Sequence, residues 1–173
     1  MSNAVIVIGT YENRRLAEVD YEDIARNRDL LRAEKVYAVA LVERTDGGKV
    51  KVVNSLEPDT EHGAISGTIV GALVGFLFPP AIFVTAVAGL GIGRVAGHLW
   101  HGISRKDLME LGTALDSGQG AVLVFGAKLP EAIESVLPSA GHIAHRETSH
   151  THEDIETLIA ELRAEHEAAT PSE

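Results

Sequence analysis

Hydrophobic and polar positions change rhythm several times along the chain, and each change predicts an element. Residues 4–9 form a continuous run, Ala-Val-Ile-Val-Ile-Gly, that suits a strand buried on both faces. Residues 14–33 are charge-rich, with Leu16, Val19, Ile24, Leu30 and Leu31 at roughly helical spacing. This predicts one amphipathic helix, with Asp20, Glu22, Asp23 and Asp29 on its solvated face. Residues 36–42 are again continuously apolar and predict a second central strand. Thr-Asp-Gly-Gly at 45–48 signals a turn, and the alternating 49–53 that follows predicts a half-exposed strand paired back on its predecessor.

A similar rhythm returns at residue 104. Ser104 and Asp107 resemble a capping box, Leu108, Leu111 and Leu115 share a helical face, and Gly118 and Gly120 end that helix. Residues 121–125 read as a buried strand. Pro130 opens a short helix with Ile133 and Leu137 inward. Residues 142–145 predict a further strand, and Thr151 caps a last helix striped with Ile155, Leu158, Ile159 and Leu162. Without the middle of the chain the order is β-α-β-β-α-β, then α-β-α. Its first six elements match a split β-α-β sandwich. The predicted fold class is therefore α+β: a ferredoxin-like sandwich with an inserted glycine-zipper helical hairpin and a C-terminal helix. Residues 1–56 are the first half of the domain, 57–103 the insertion, and 104–173 the second half with the C-terminal helix.

The insertion is set apart by charge, because residues 63–93 contain no Asp, Glu, Lys, Arg or His. Gly63, Gly67, Gly71 and Gly75 recur every four residues, and Gly89, Gly93 and Gly97 repeat the spacing further on. At 3.6 residues per turn each set lies on one helical face, where small residues let two backbones approach. Pro79 and Pro80 break the helix and mark a hairpin tip. The first arm, 63–78, spans roughly 24 Å as a helix, short of the roughly 30 Å of a bilayer core. A re-entrant hairpin fits that length, with Arg94 and Trp100 at the interface on the cytoplasmic side. An all-round apolar helix also suits the core of a homo-oligomer, and a switch between the two placements is a third reading.

Composition narrows the function. With 173 residues, 45% of them hydrophobic, the chain makes one compact domain. It has no Cys, so disulfides and thiolate chemistry are excluded. A net charge of −10 without a basic run argues against nucleic-acid binding. Residues 1–10 lack the pattern of a signal peptide. Gly91-x-Gly93-x-x-Ala96 fits a loose dinucleotide fingerprint, but no second strand ending in an acid follows it, and zipper packing explains the same glycines. Of the 8 His, His142, His145, His150 and His152 cluster beside Glu153 and Asp154. As neutral imidazoles they are candidate metal ligands, although their spacing matches no closed site and a solvated polar connection is the simpler explanation. His98 and His101 share a helical face and suit an interface better than a metal. No nucleophile elbow or phosphate loop is present.

Several of these features together resemble a bacterial family of domains of unknown function, number twelve-sixty-nine, whose members are described as predicted membrane proteins. They are the strand at 5–8, the strand at 39–43 followed by Asp46-Gly-Gly-Lys49-Val, the spaced glycines and the Leu77-Phe-Pro-Pro80 break. Leu111-Gly-Thr-Ala-Leu115 leading into 121–125 belongs with them. The resemblance covers roughly residues 4–147, with the His-rich 142–152 as a departure. It implies a non-enzymatic, stress- or envelope-related protein and carries over no catalytic residue.

The expectation is thus a non-enzymatic, self-assembling protein without a cofactor, its partners being copies of itself and membrane lipid. The alternative is a soluble homo-oligomer whose hairpins form its core and which carries a small ligand or cargo. A His-rich metal-binding protein is a minor alternative.

Overall fold

The computed structural model describes residues 2–58, 69–71, 74, 115–116 and 119–169. The chain opens with strand β1 (Asn3–Tyr11), followed by helices α1 (Arg14–Arg26) and α2 (Arg28–Ala33). Strands β2 (Ala38–Arg44) and β3 (Val50–Leu56) form a hairpin. Strand β4 (Gly120–Ala127), helix α3 (Pro130–Glu134), strand β5 (His142–Thr151) and helix α4 (His152–Ala169) complete the described elements.

The five strands form one sheet in the order β3-β2-β4-β1-β5, and every neighbouring pair is antiparallel. Strand β4 therefore lies between β1 and β2, and β1 lies between β4 and β5. Two split β-α-β units interleave, which is consistent with a ferredoxin-like topology. The expected assignment is corrected here. The four sandwich strands are β1, β2, β4 and β5, and β3 is an added edge strand. Periodicity reports which residues are buried, but not which strand sits beside which.

Alternation along the central strands sends side chains to two cores. Val5 and Val7 join Ala17, Tyr21 and Ile24 of α1, Leu31 of α2 and Ile133 of α3 on one face. Ile6 and Ile8 join Phe125, Leu123, Ala40 and Val42 on the other. That second face is covered by Ile155 of α4, by Leu115, and by Ile69, Val70 and Val74. With both faces covered, the central strands can be apolar at every position, as the sequence pattern implied.

The predicted helix over 14–33 divides at Asn27. The Asn27 side chain accepts the N–H of Leu30 at 3.1 Å and so starts α2, in competition with continuation of α1. Turn 45–48 closes as expected, with the Gly48 N–H on the Thr45 carbonyl and Gly48 at φ +75°. Pro130 stands in the first turn of α3. The stretch expected as a short strand with a polar connection is a ten-residue edge strand, β5.

Residues 69–71 and 74 are helical, and they decide how the apolar insertion is read. Ile69, Val70 and Val74 are 5%, 3% and 0% exposed against the sheet. The Glu57 carboxylate accepts the backbone N–H groups of Ile69 and Val70, each at 3.0 Å. The described residues of the first arm are thus domain core, and the expectation of lipid contact is corrected. Among the described residues, no helix is long and apolar enough to cross a membrane. The hairpin tip at Pro79 and Pro80, the loose fingerprint at 91–96, and Gly63, Gly67, Gly75, Gly89, Gly93, Gly97, Arg94, Trp100, His98 and His101 lie outside the described residues.

Candidate functional site

The described residues concentrate unusual chemistry where α4 begins. Thr151 and Asp154 cap that helix reciprocally. The Asp154 N–H donates to Thr151 Oγ1 at 3.3 Å, while the Thr151 N–H and hydroxyl both donate to Asp154 Oδ2 at 2.9 Å. These bonds hold the Asp154 carboxyl below the usual carboxylate range. His152 follows the cap immediately and is 8% exposed. Its Nδ1 lies 3.0 Å from Tyr37 Oη, and that hydroxyl donates to the His152 carbonyl oxygen at 3.2 Å. Its Nε2 is buried and has no hydrogen-bond partner among the described residues.

Tyr37 is held firmly. Its ring lies 5.7 Å from that of Phe125 and 5.7 Å from the imidazole. Gly126 makes room for it. At φ +106° a Cβ on Gly126 would collide with the Tyr37 ring and sit 2.7 Å from the Lys35 carbonyl oxygen. Lys35, at φ +52°, turns the chain out of α2 and pairs with Glu156 of α4 at 2.9 Å. Lys128 makes no ion pair among the described residues, and its backbone N–H donates to the Glu34 carbonyl. Lys35, Lys128, His152, Glu153 and Glu156 line an open cleft of about 500 Å³. Burial, with the Lys35 and Lys128 ammonium groups nearby, holds the His152 imidazole below the ordinary histidine range, and Glu156 and Glu34 oppose that only in part.

The four candidate metal ligands are not brought together. His142 is exposed at the start of β5, opposite Thr10. His145 Nδ1 lies 2.8 Å from Glu134 of α3. The Nε2 of His150 is buried without a partner among the described residues, and His152 is engaged with Tyr37. Among the described residues no three His, Asp or Glu side chains are grouped as a metal site.

Asp20 was placed on the solvated face of α1, and the structure corrects this. It is 1% exposed, and its Oδ2 accepts the Tyr11 hydroxyl and the Ser139 N–H, each at 3.0 Å. Burial, with Asp20 alongside, pushes the Tyr11 phenol far above its ordinary range. Its burial was legible, since Asp20 falls on the 17-20-21-24 stripe of α1 that faces the sheet. Tyr37 with His152 and Glu57 with Val70 were missed. Their partners lie far apart in sequence, and no local spacing announces them.

These features define a two-sided antiparallel α/β domain with buried polar ties between its sheet and its covering helices. A family model described as a protein of unknown function (DUF1269) matches residues 64–163, more than half of the chain, and the chain belongs to that family. No curated protein and no solved structure matches it. The resemblance drawn above is corrected on two counts. The match runs over 64–163, not 4–147, and the membrane character attached to it is overturned by the burial of Ile69, Val70 and Val74 in the domain core and the lack of a membrane-length apolar helix among the described residues. The expected placement on the cytoplasmic side of the inner membrane, and the lipid partner, fall with it. The family's description assigns no function, so the stress- or envelope-related role has no support.

Proposed function

We propose that the protein is a non-enzymatic α/β module that associates with copies of itself in water, its glycine-rich segment packing against protein. The observation that carries this reading is the seating of Ile69, Val70 and Val74 on the sheet, with their helical turn held by Glu57. A segment this apolar, once tied to a folded sheet, buries its remaining surface most readily against another protein surface. Gly71 supports the same reading. It is half-buried, and a Cβ there would meet no atom within 4 Å among the described residues. Among the described residues, that side of the helix is open to a second backbone. The role of the other glycines, Gly63, Gly67, Gly75, Gly89, Gly93 and Gly97, belongs to the same proposal.

The test is sedimentation velocity on the full chain without detergent over a wide concentration range. A discrete species of several times 18.4 kDa is expected. A monomer at every concentration overturns the reading.

A further inference from the structure

We propose that the Tyr37–His152 contact is a pH-sensitive latch that holds α4 on the sheet when His152 is neutral and releases its first turns when the imidazole is protonated. The hydrogen bonds suit a ring that carries its proton on Nδ1, and the buried Nε2, unpartnered among the described residues, disfavours a second proton. The Tyr37 hydroxyl donates to the His152 carbonyl oxygen at 3.2 Å. Its oxygen then accepts from Nδ1–H at 3.0 Å, which leaves Nε2 as a bare lone pair. Nε2 is buried with no partner among the described residues, consistent with that tautomer. A lone pair can be left unsatisfied at modest cost. A second N–H carrying positive charge in the same place cannot.

The surroundings act in the same sense. From the α2–β2 turn, Lys35 faces the imidazole together with Glu34 and Tyr37, and Lys128 faces it from the end of β4. From α4 itself comes Glu156, already paired with Lys35, and Glu153 lines the cleft. Burial and the two lysines disfavour the imidazolium, and the two glutamates Glu34 and Glu156 offset them only in part. Tyr37 cannot retreat, because it is wedged between Phe125 and the space that Gly126 leaves. Relief comes from movement of His152 into water, and His152 is the first residue of α4.

Helix α4 is suited to such movement. Ile155 is its one fully buried apolar side chain among those described, with Leu158 and Ile159 only partly buried behind it. Its release uncovers the sheet face formed by Ile6, Ile8 and Phe125. A folded pKa below the released value makes closure complete above about pH 6.5 and weakens it as the pH falls, by up to about tenfold per unit.

The experiment is hydrogen exchange of the α4 amides in the full chain at pH 7.5 and pH 5.5, corrected for the intrinsic rate. The opening equilibrium at residues 155–160 is expected to rise several-fold at the lower pH, while β4 amides stay protected. In H152Q the pH dependence of α4 should vanish, although Tyr37 still has a polar neighbour. In K128Q, where no ion pair is lost among the described residues, the closed state tolerates the imidazolium better, so the rise between pH 7.5 and pH 5.5 should shrink. Equal α4 protection at the two pH values overturns the latch. So does an unchanged pH dependence in H152Q, which would assign it to another histidine. If H152Q does not fold, an undiminished rise in K128Q overturns it.

Discussion

The Glu57 carboxylate accepts the backbone N–H of Val70 at 3.0 Å and thereby joins the end of the β2–β3 hairpin to the apolar segment. The same oxygen takes the N–H of Ile69, so one side chain satisfies two adjacent helical donors. Glu57 is 6% exposed, so water cannot readily replace it. E57A should lower stability to urea by about 1–2 kcal/mol. E57Q should lose less, because its amide oxygen still accepts. Equal losses for the two variants would mean that charge, not acceptance, is what matters there.

Gly126 is the position at which substitution should do most damage for the least added volume. A methyl group there meets the Tyr37 ring and the Lys35 carbonyl oxygen, and the backbone sits at φ +106°. Neither neighbour can give way, since Tyr37 packs on Phe125 and the Tyr37 N–H is bonded to the Phe125 carbonyl. G126A should cost about 3 kcal/mol, a sum of backbone strain and overpacking. By contrast Gly48 also has a positive φ, but among the described residues nothing lies within 4 Å of a Cβ there. G48A should therefore show the backbone cost alone, about 1 kcal/mol. Thermal unfolding of the two variants side by side separates the terms.

Much of this architecture was legible in the sequence, and the failures have physical causes. Strands β1, β2 and β4 announced themselves because both sheet faces are covered, so their apolar runs are unbroken. Pro130 and Thr151 marked helix starts because a missing N–H and a hydroxyl acceptor are local properties. Strand β5 was under-read because it lies at the sheet edge, where His142, His145, Arg146 and Glu147 can all face water. The insertion misled because hydropathy is the same whether a residue meets lipid or a sheet. Only the contact of Ile69, Val70 and Val74 with the second core tells the two apart. At the candidate site, His152 was visible as a histidine beside a cap, but its partner Tyr37 stands 115 residues away and only the fold brings it near.

Tyr21 should make the fold sensitive to alkali. Burial pushes its phenol from the ordinary value of 10.0 up to about 12. Its ionisation is therefore delayed in the folded chain, and between those values the native state holds a proton that the unfolded state has lost. Stability is complete below pH 10 and falls as the pH rises toward 12, by on the order of 2–3 kcal/mol across the window. Absorbance at 295 nm follows the titration directly. Y21F should flatten the part of the stability loss that Tyr21 causes, while Tyr11, bonded to Asp20, still resists ionisation. An early phenolate signal in the folded wild type, near pH 10 from every tyrosine, would contradict the burial.

Val74 and Gly71 lie three residues apart and are both helical, and they should respond in opposite ways. Val74 is fully buried in the core on that face of the sheet, so V74D places a carboxylate in a cluster that is apolar among the described residues. That change should unfold the domain or cost more than about 3 kcal/mol. Gly71 is open beside its Cα among the described residues, and leucine favours a helix over glycine by roughly 0.8 kcal/mol. G71L should therefore leave the monomer folded, with an unchanged or slightly raised unfolding temperature. If a second chain uses the space at Gly71, the added side chain blocks its approach, and the sedimenting species should shift toward the monomer without loss of fold. Retention of the full assembly by G71L would place the contact elsewhere on the molecule. Loss of fold in G71L would mean that the glycine is packed within its own chain.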